Sequence, residues 1–428
     1  MKTAALGLQH LLAMYAGAIL VPLIVGDALG LTSEQLTYLV AIDILMCGVA
    51  TILQVVSNRF FGIGLPVVLG CTFTAVAPMI TIGGEYGVSA IYGSILVSGL
   101  IVILISGVFG KLVRFFPPVV TGTVVTIIGI TLIPVAINNM GGGQGAADFG
   151  SISNISLAFG TLLFIILMYR FTKGFIRSIS ILIGLIGGTI VASFMGKVHF
   201  DAVSEASYFH MVEPFYFGTP TFEWSAILTM TLVAIVSLVE STGVYFALSD
   251  ITEKKIAEKD ISKGYRAEGI AIVLGGIFNA FPYTAFSQNV GLIQMTGVKK
   301  RKVVLVMAIM LIALGFIPKI AALTTIIPTS VLGGAMIAMF GMVISQGIKM
   351  LSSVIANSPE NSMIIACSVG MGLGVTVVPE IFAQLPNSVQ ILTSNGIVAG
   401  SVTAIILNIV FNMIPKRKSA PVLVKKGA

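Results

Sequence analysis

Apolar residues run along this chain in long blocks separated by short polar or charged connections, with neither the strict alternation of half-buried strands nor the narrow stripe of surface helices. A helix of about 20 apolar residues crosses a ~30 Å hydrocarbon core. Divided on that length, the chain predicts about fourteen spans, near 7–26, 36–56, 62–80, 88–109, 117–137, 155–172, 176–196, 224–248, 265–281, 283–298, 303–326, 328–350, 360–379 and 390–414. The first carries Gln9 and His10 and lacks the basic lead and small-residue cleavage site of a signal peptide, so it is expected to stay in the protein. The expected fold is an all-α polytopic membrane protein.

Two windows depart from plain helix. Gly62-Ile63-Gly64-Leu65-Pro66-Val67-Val68-Leu69-Gly70 and Phe281-Pro282-Tyr283-Thr284-Ala285-Phe286 each join a breaker to a short β-favouring run before helix can resume. Each predicts a crossing that is part strand and part helix, the alternative being two kinked helices. Extended backbone at that depth must be satisfied by protein or border a cavity. The two windows also match in spacing. Pro66 precedes Thr72 and Phe73 by six and seven residues, as Pro282 precedes Gln288 and Asn289, and 282 − 66 gives an offset of 216. Pro117, Gly122 and Gly129 pair with Pro328, Gly333 and Gly341 at offsets of 211, 211 and 212. With about seven spans in each half, these matches favour a duplication whose second copy inserts upside down.

Composition and charge sharpen this picture. Of 428 residues, 56% are hydrophobic and 10% charged, with a mean hydropathy of +1.04, whereas a soluble domain is nearer ~25% charged. The 47 glycines suit helices packed through small faces. Lys and Arg accumulate in cytoplasmic loops. On the division above, Lys2, Arg59, Lys111, Arg114, Arg170, Lys173, Arg177, the run Lys254 to Arg266, Lys299 to Lys302, Lys349 and the tail Lys416 to Lys426 share one side. Lys197 and Lys319 take the other. Both termini are therefore expected in the cytoplasm, with the protein in the cell inner (plasma) membrane. The net charge of +7 follows from this topology and needs no nucleic-acid partner.

Several chemistries are disfavoured. Cys47, Cys71 and Cys367 lie far apart in apolar spans without a C-x-x-C and are read as buried thiols with no disulfide or metal role. His10, His199 and His210 give no zinc spacing, and Gly110-Lys111 is followed by Leu112, so no phosphate-binding loop is present. ATP-driven transport by this chain, an enzymatic role and a bound cofactor are not expected.

The candidate chemistry is polar groups at membrane depth. The uncharged pair Gln288-Asn289, between apolar runs and just past Pro282, suits a site that hydrogen-bonds something small and flat. Glu240 lies among Leu238, Val239 and Ser241 well inside its span. An unpaired carboxylate at a helix centre costs about 2.5 to 3.5 kcal/mol on insertion scales, so Glu240 should face a cavity and find a donor or take up a proton, a structural pair being the alternative. Glu268 is read either as functional or as a surface ion pair with Arg266 or Lys263. Asp43, among Ile42, Ile44 and Leu45, is either a packing hydrogen bonder or part of a proton path. His10 could titrate near physiological pH or be an interfacial polar residue. Phe73 could stack on a planar ligand if its segment lines the site. Glu253 to Lys263 reads as a solvated cytoplasmic loop.

At these residues the sequence resembles the nucleobase/ascorbate transporters, secondary symporters that include uracil, xanthine and uric acid permeases. Their signature, [QEP]-N-x-G-x-x-x-x-T-[RKG], is similar to Gln288, Asn289, Gly291, Thr296 and Gly297 as they stand here. The Gln9-His10 start, Glu240-Ser241-Thr242-Gly243 and Gly275-Gly276-Ile277-Phe278-Asn279-Ala280-Phe281-Pro282 also resemble family segments. The resemblance implies fourteen spans as two inverted seven-span repeats. Its core domain is 1–110 with 201–326, its gate domain 111–200 with 327–414, and 415–428 is a cytoplasmic tail. It further implies that Glu240 hydrogen-bonds ring N–H groups, Gln288 reads the base edge, Asn289 orients the site, and Phe73 packs on the ring. The Thr72-Phe73 and Ser287-Gln288 backbone would read the remaining edge. Glu268 falls where members carry a carboxylate tied to coupling, and His10 would organise the span-three segment.

Uracil-type members resemble Glu-Asn at the motif pair, whereas Gln288-Asn289 with Gly297 is similar to the purine branch. Xanthine is the expected substrate, then uric acid, with H⁺ as coupling ion ahead of Na⁺, and a homodimer among membrane lipids. One departure is Val244, where members often place His or Asp one turn after the carboxylate. The rivals are a uracil permease and an anion transporter of sulfate-permease type. The latter would want a cation near the broken spans, and none lies between Ser287 and Val298. A sensing receptor or intramembrane enzyme is the remaining class, separated from a transporter by flux into sealed vesicles.

Overall fold

The computed structural model describes residues 2–110, 115–355, 358–386, 390, 393 and 395–414. Lys111, Arg114, the tail Lys416 to Lys426 and the whole 415–428 segment lie outside the described residues, as does the side chain of Lys2.

The first half runs α1 (Lys2–Ala28), α2 (Ser33–Val55), β1 (Leu69–Cys71), a 3-10 turn (Phe73–Ala75), α3 (Val76–Tyr86), α4 (Val88–Phe109), α5 (Pro118–Thr131), α6 (Ile133–Met140), α7 (Ile152–Phe171), α8 (Gly174–Ser178), α9 (Ser180–Phe194) and α10 (Asp201–Glu205). The second runs α11 (Trp224–Thr252), α12 (Glu258–Phe278), β2 (Tyr283–Ala285), α13 (Ser287–Thr296), α14 (Arg301–Gly315), α15 (Pro318–Thr325), α16 (Thr329–Ile355) and α17 (Pro359–Val377), with a final helix Gly396–Asn408. Local chemistry sets the boundaries. Thr32 and Gln35 form a capping box at the start of α2. Pro118, Pro318 and Pro359 stand in first helical turns, where a missing N–H costs nothing.

Nine helices among the described residues are long and apolar enough to cross a membrane, or ten if α14 and α15, bent by 82°, count as one. Fourteen windows were expected, and five do not form a straight apolar helix. Strand interrupts 62–80 and 283–298. The window 176–196 splits into α8 and a 15-residue α9. The window 265–281 lies in α12, whose early turns carry charge, and 303–326 bends at Pro318.

The two broken spans pair with each other. β1 and β2 are antiparallel, with Leu69 opposite Ala285, Gly70 opposite Thr284 and Cys71 opposite Tyr283. Thr72 N–H to Pro282 O and Phe286 N–H to Val68 O, both 2.9 Å, extend the ladder at either end. Every strand residue is buried. Extended backbone so deep has no water to bond, and each segment supplies the other's partners.

Around this pair α4 packs on α11 and α12, while α2 packs on α1 and α14. A second set brings α5, α6, α7 and α9 against α16, and α17 against the final helix and α5. Helices α5 and α16 run antiparallel, Gly122 against Leu351 and Gly129 against Ile344. A Cβ at Gly347 would lie 2.3 Å from Thr126 Oγ1, so the contact requires glycine.

Lys254 reaches Gly64 O at 3.1 Å, Arg266 reaches Phe60 O at 3.0 Å, and Lys299 pairs with Glu253 at 2.8 Å. Lys299 holds the Glu253 carboxyl below its ordinary range by hydrogen bond and charge. Lys197 pairs instead with Asp148 at 3.0 Å, and Lys319 lies over the Tyr208 ring.

Candidate functional site

Helix α11 organises the centre. Ser237 and Ser241, four residues apart, share one helical face. Ser237 Oγ lies 3.2 Å from Thr72 Oγ1, at the end of β1. Ser241 Oγ lies 3.1 Å from Thr284 Oγ1 and accepts the Ala285 N–H at 3.0 Å, both on β2. One face of one helix thus grips both strands. Glu240, three residues after Ser237, must project beside the strand crossing, and the Thr284 hydroxyl lies against its carboxylate. Glu240, Ser287 and Gln288 are half-buried while their neighbours Val239, Ser241, Phe286 and Asn289 are buried, so these three keep accessible surface beside the strand crossing.

Two aromatic rings face this region. Phe73 and Phe286 are parallel within 2°, with centroids 6.4 Å apart. Gly70 makes room for the second, since a Cβ there would meet the Phe286 ring at 2.5 Å. Helix α13 begins directly after Phe286, and no side chain of the N-cap residue bonds its first backbone N–H groups.

Asn289 is buried, its Nδ2 3.4 Å from His10 Nδ1 and from His10 O, while its Oδ1 has no partner among the described residues. His10 is itself buried, which corrects the interfacial reading. Its hydrogen-bonding contact is with α13, while α1 itself packs against α13 and against β1 and α3 of the span-three segment. Glu268 is fully buried and makes no surface ion pair. Arg266 turns away to Ser106 and Phe60, and Lys263 pairs with Asp260. Glu268 Oε1 accepts instead from the Tyr245 hydroxyl and Gln54. Val244 is buried and apolar, so no titratable group stands one turn from Glu240.

Of the three cysteines expected to be buried thiols, Cys367 alone is corrected, being exposed. Cys47 and Cys71, far apart in sequence, have sulfurs 3.9 Å apart, because α2 packs against β1. Both are free and buried, whereas Cys367 is free but exposed on α17. Cys71 Sγ–H donates to Asp43 Oδ2 at 2.5 Å.

Sequence reasoning passed over Phe286, Gln54 and Tyr245. Phe286 immediately precedes Ser287, and Gln54 is an isolated amide among Ile52, Leu53 and Val55. Either position was a visible signal. Two cavities, of about 280 Å³ beside Pro78, Leu132 and Ile397 and about 390 Å³ beside Glu34, Tyr38 and His210, lie away from this centre.

A polytopic helical protein with two broken spans paired at its centre and polar groups converging there has the build of a membrane transporter. Comparison with known proteins gives the family. Residues 1–381 match the Xan_ur_permease family, described as "Permease family". The chain is 70% identical over 417 residues to the xanthine permease of Bacillus subtilis (strain 168), covering 97% of this chain and 95% of that protein. It is 66% identical over 406 residues to the uric acid permease PucK of the same organism, covering 95% and 94%. In fold it is similar to the transmembrane domain of a cyanobacterium bicarbonate transporter, BicA, with a TM-score of 0.66, 16% identity, and coverage of 92% of this chain and 97% of that one. The chain belongs to the nucleobase/ascorbate transporter family and is a multi-pass membrane permease, not an enzyme.

Proposed function

We propose that this protein imports a purine nucleobase, xanthine first and uric acid next, by secondary active transport coupled to H⁺, with Na⁺ as the alternative ion. The observation that carries this reading is the convergence of Glu240, the uncapped start of α13 with Gln288, and the parallel rings of Phe73 and Phe286 on one crossing of strands. A carboxylate only accepts hydrogen bonds, whereas a primary amide both donates and accepts. Glu240 therefore suits ring N–H groups and Gln288 a mixed N–H/C=O edge. A flat ring stacked between Phe73 and Phe286 would need two contacts of roughly 3.5 Å each, about 7 Å in all, so the rings, with centroids 6.4 Å apart, must part slightly to admit it. Asn289, held by His10, sets the first turn of α13, and the backbone at Thr72-Phe73 and Ser287-Gln288 reads the remaining edge.

Buried Glu268 is read as the coupling carboxylate. The fourteen-span inverted repeat, with core 1–110 and 201–326 rocking against gate 111–200 and 327–414, is the architecture we favour. The separate packing of α5, α7 and α9 with α16, and the matched spacing about Pro66 and Pro282, support it. Both termini are assigned to the cytoplasm on the charge distribution, and the assembly to a homodimer.

The test is uptake of radiolabelled xanthine into cells lacking their own purine permeases, with unlabelled uric acid or uracil in excess. Competition by uric acid and not by uracil supports the purine reading. No xanthine uptake from correctly inserted protein sinks it, and competition by uracil alone moves the assignment to a uracil permease.

A further inference from the structure

Gln54, near the end of α2, is fully buried and spends its whole amide on groups from separate parts of the chain. Its Nε2 donates to Tyr245 Oη at 2.5 Å and to Gly264 O at 3.0 Å, with Glu268 Oε1 a longer contact at 3.4 Å. Its Oε1 accepts the Ile63 N–H at 3.2 Å, and its backbone O accepts the Gly64 N–H at 3.1 Å. Only this amide orientation works, since a flip would set Oε1 against Gly264 O and Nε2 against the Ile63 N–H.

The groups on either side differ in kind. Tyr245 donates its hydroxyl to Glu268 Oε1, while Glu268 Oε2 is buried without a hydrogen bond among the described residues, the Ser241 hydroxyl being close to the carboxylate. Ile63 and Gly64 belong to the turn that leads through Leu65 and Pro66 into β1, and so to Thr72 and Phe73. Gly62 and Gly64 hold that turn at φ of +87° and +69°. The turn is bonded again to α12 by Gly62 N–H to Lys263 O at 3.0 Å.

We propose that Gln54 is a positioning residue that transmits the charge state of Glu268 to the turn preceding β1, so that proton uptake and release at Glu268 reset the strand carrying Thr72 and Phe73. The proposal rests on the reading of Glu268 as the coupling group. When Glu268 is ionised, the Tyr245 and Gln54 donors bond a full negative charge, and such bonds are roughly twice as strong as neutral ones. A proton arriving at Oε2 leaves Oε1 a weaker acceptor. Tyr245 and Gln54 then loosen together. Because the Gln54 amide is one rigid plane, any rotation of its N–H side moves the oxygen that holds Ile63. Glu240 is near enough to interact electrostatically with Glu268, so substrate at Glu240 also reaches this relay.

The test is hydrogen exchange of the backbone amides at 60–65 in purified full-length protein, for wild type, Gln54→Leu, Glu268→Gln and the double variant. Glu268→Gln is expected to speed exchange there by about tenfold, the size of an ordinary coupling between sites. Gln54→Leu is expected to do the same, and the double variant to add nothing further. An unchanged 60–65 segment in Glu268→Gln, or effects that multiply in the double variant, overturns the relay.

Transport in proteoliposomes gives a second readout. Gln54→Leu should cut pH-gradient-driven xanthine accumulation about tenfold and leave the KM of xanthine exchange at equal pH within about twofold. Equal losses in accumulation and exchange mean a structural role and overturn the proposal. Tyr245→Phe, which removes one hydroxyl and keeps Gln54, should reproduce the split and serves if Gln54→Leu fails to insert. Full accumulation by Glu268→Gln overturns the coupling reading itself, an outcome distinct from a relay that fails while coupling survives.

Discussion

Asp43 Oδ1 accepts the backbone N–H of Phe281 at 2.9 Å, across 238 positions of sequence. Its other oxygen takes the Cys71 thiol. A single fully buried side chain on α2 thereby ties β1 to the segment entering β2, from the opposite direction to the grip of Ser237 and Ser241 on α11. Of the two roles open to Asp43 from sequence, the packing hydrogen bonder is the one whose partners are in place.

Asp43→Ala should therefore destabilise the protein more than Asp43→Asn does. Alanine strands a buried N–H, at a cost of about 1–3 kcal/mol, whereas asparagine keeps an oxygen for Phe281. Thermal unfolding in detergent checks this, and equal melting temperatures for the two variants would refute it.

Glu240→Gln should raise the xanthine KM by roughly 10- to 150-fold, the equivalent of a charge-assisted hydrogen bond worth ~1.5–3 kcal/mol. Membrane insertion should be unaffected, since the amide is cheaper to hold at that depth than the carboxylate. Uptake kinetics at matched protein levels decide the point.

Gly70→Ala is expected to impair xanthine uptake without touching a polar group. Its Cβ would approach the Phe286 ring to 2.5 Å and push it off its alignment with Phe73. Phe286→Ala in the same background should relieve the clash but not restore affinity, because the stacking surface is then gone. Recovery of wild-type KM in the double variant would show that Phe286 takes no part in binding.

The Lys197 and Asp148 pair sets a pH dependence outside the membrane. Lys197 and Asn154 hold the exposed Asp148 carboxyl below the ordinary carboxylate range by hydrogen bonds. A carboxylate with a lowered folded-state value contributes stability above its unfolded value and loses it as pH falls through the lowered one. Asp148→Asn should then melt slightly below wild type at neutral pH and together with it in strong acid. The difference should also shrink in high salt, as for any exposed pair.

The centre of the site was legible in parts. Gln288, Asn289 and Glu240 stood out because polar groups inside apolar blocks are costly wherever the chain folds. The breaker-then-strand pattern at Gly62 to Gly70 and at Phe281 to Phe286 was visible for a similar reason, since glycine and proline act on their own backbone. Glu268 was ambiguous because Arg266 and Lys263 are its sequence neighbours. On α12 these side chains leave in different directions, and burial separates the carboxylate from both.

Sequence by itself determined the membrane class, the near-positions of the apolar helices, the two interrupted spans and the amide motif, because hydropathy, helix breaking and charge asymmetry are properties of short segments. Tertiary structure alone decided that β1 meets β2, that Asp43 joins Cys71 to Phe281, that Cys47 approaches Cys71, and that Gln54 stands between Glu268 and Ile63. The β1–β2, Asp43–Phe281 and Gln54–Glu268 contacts link residues more than 200 positions apart, and the nearer pairs, such as Cys47 and Cys71, 24 apart, sit on different elements. Which partners meet depends on how helices pack around the strand pair, and the local pattern of a membrane chain, apolar on nearly every face, carries little record of that packing.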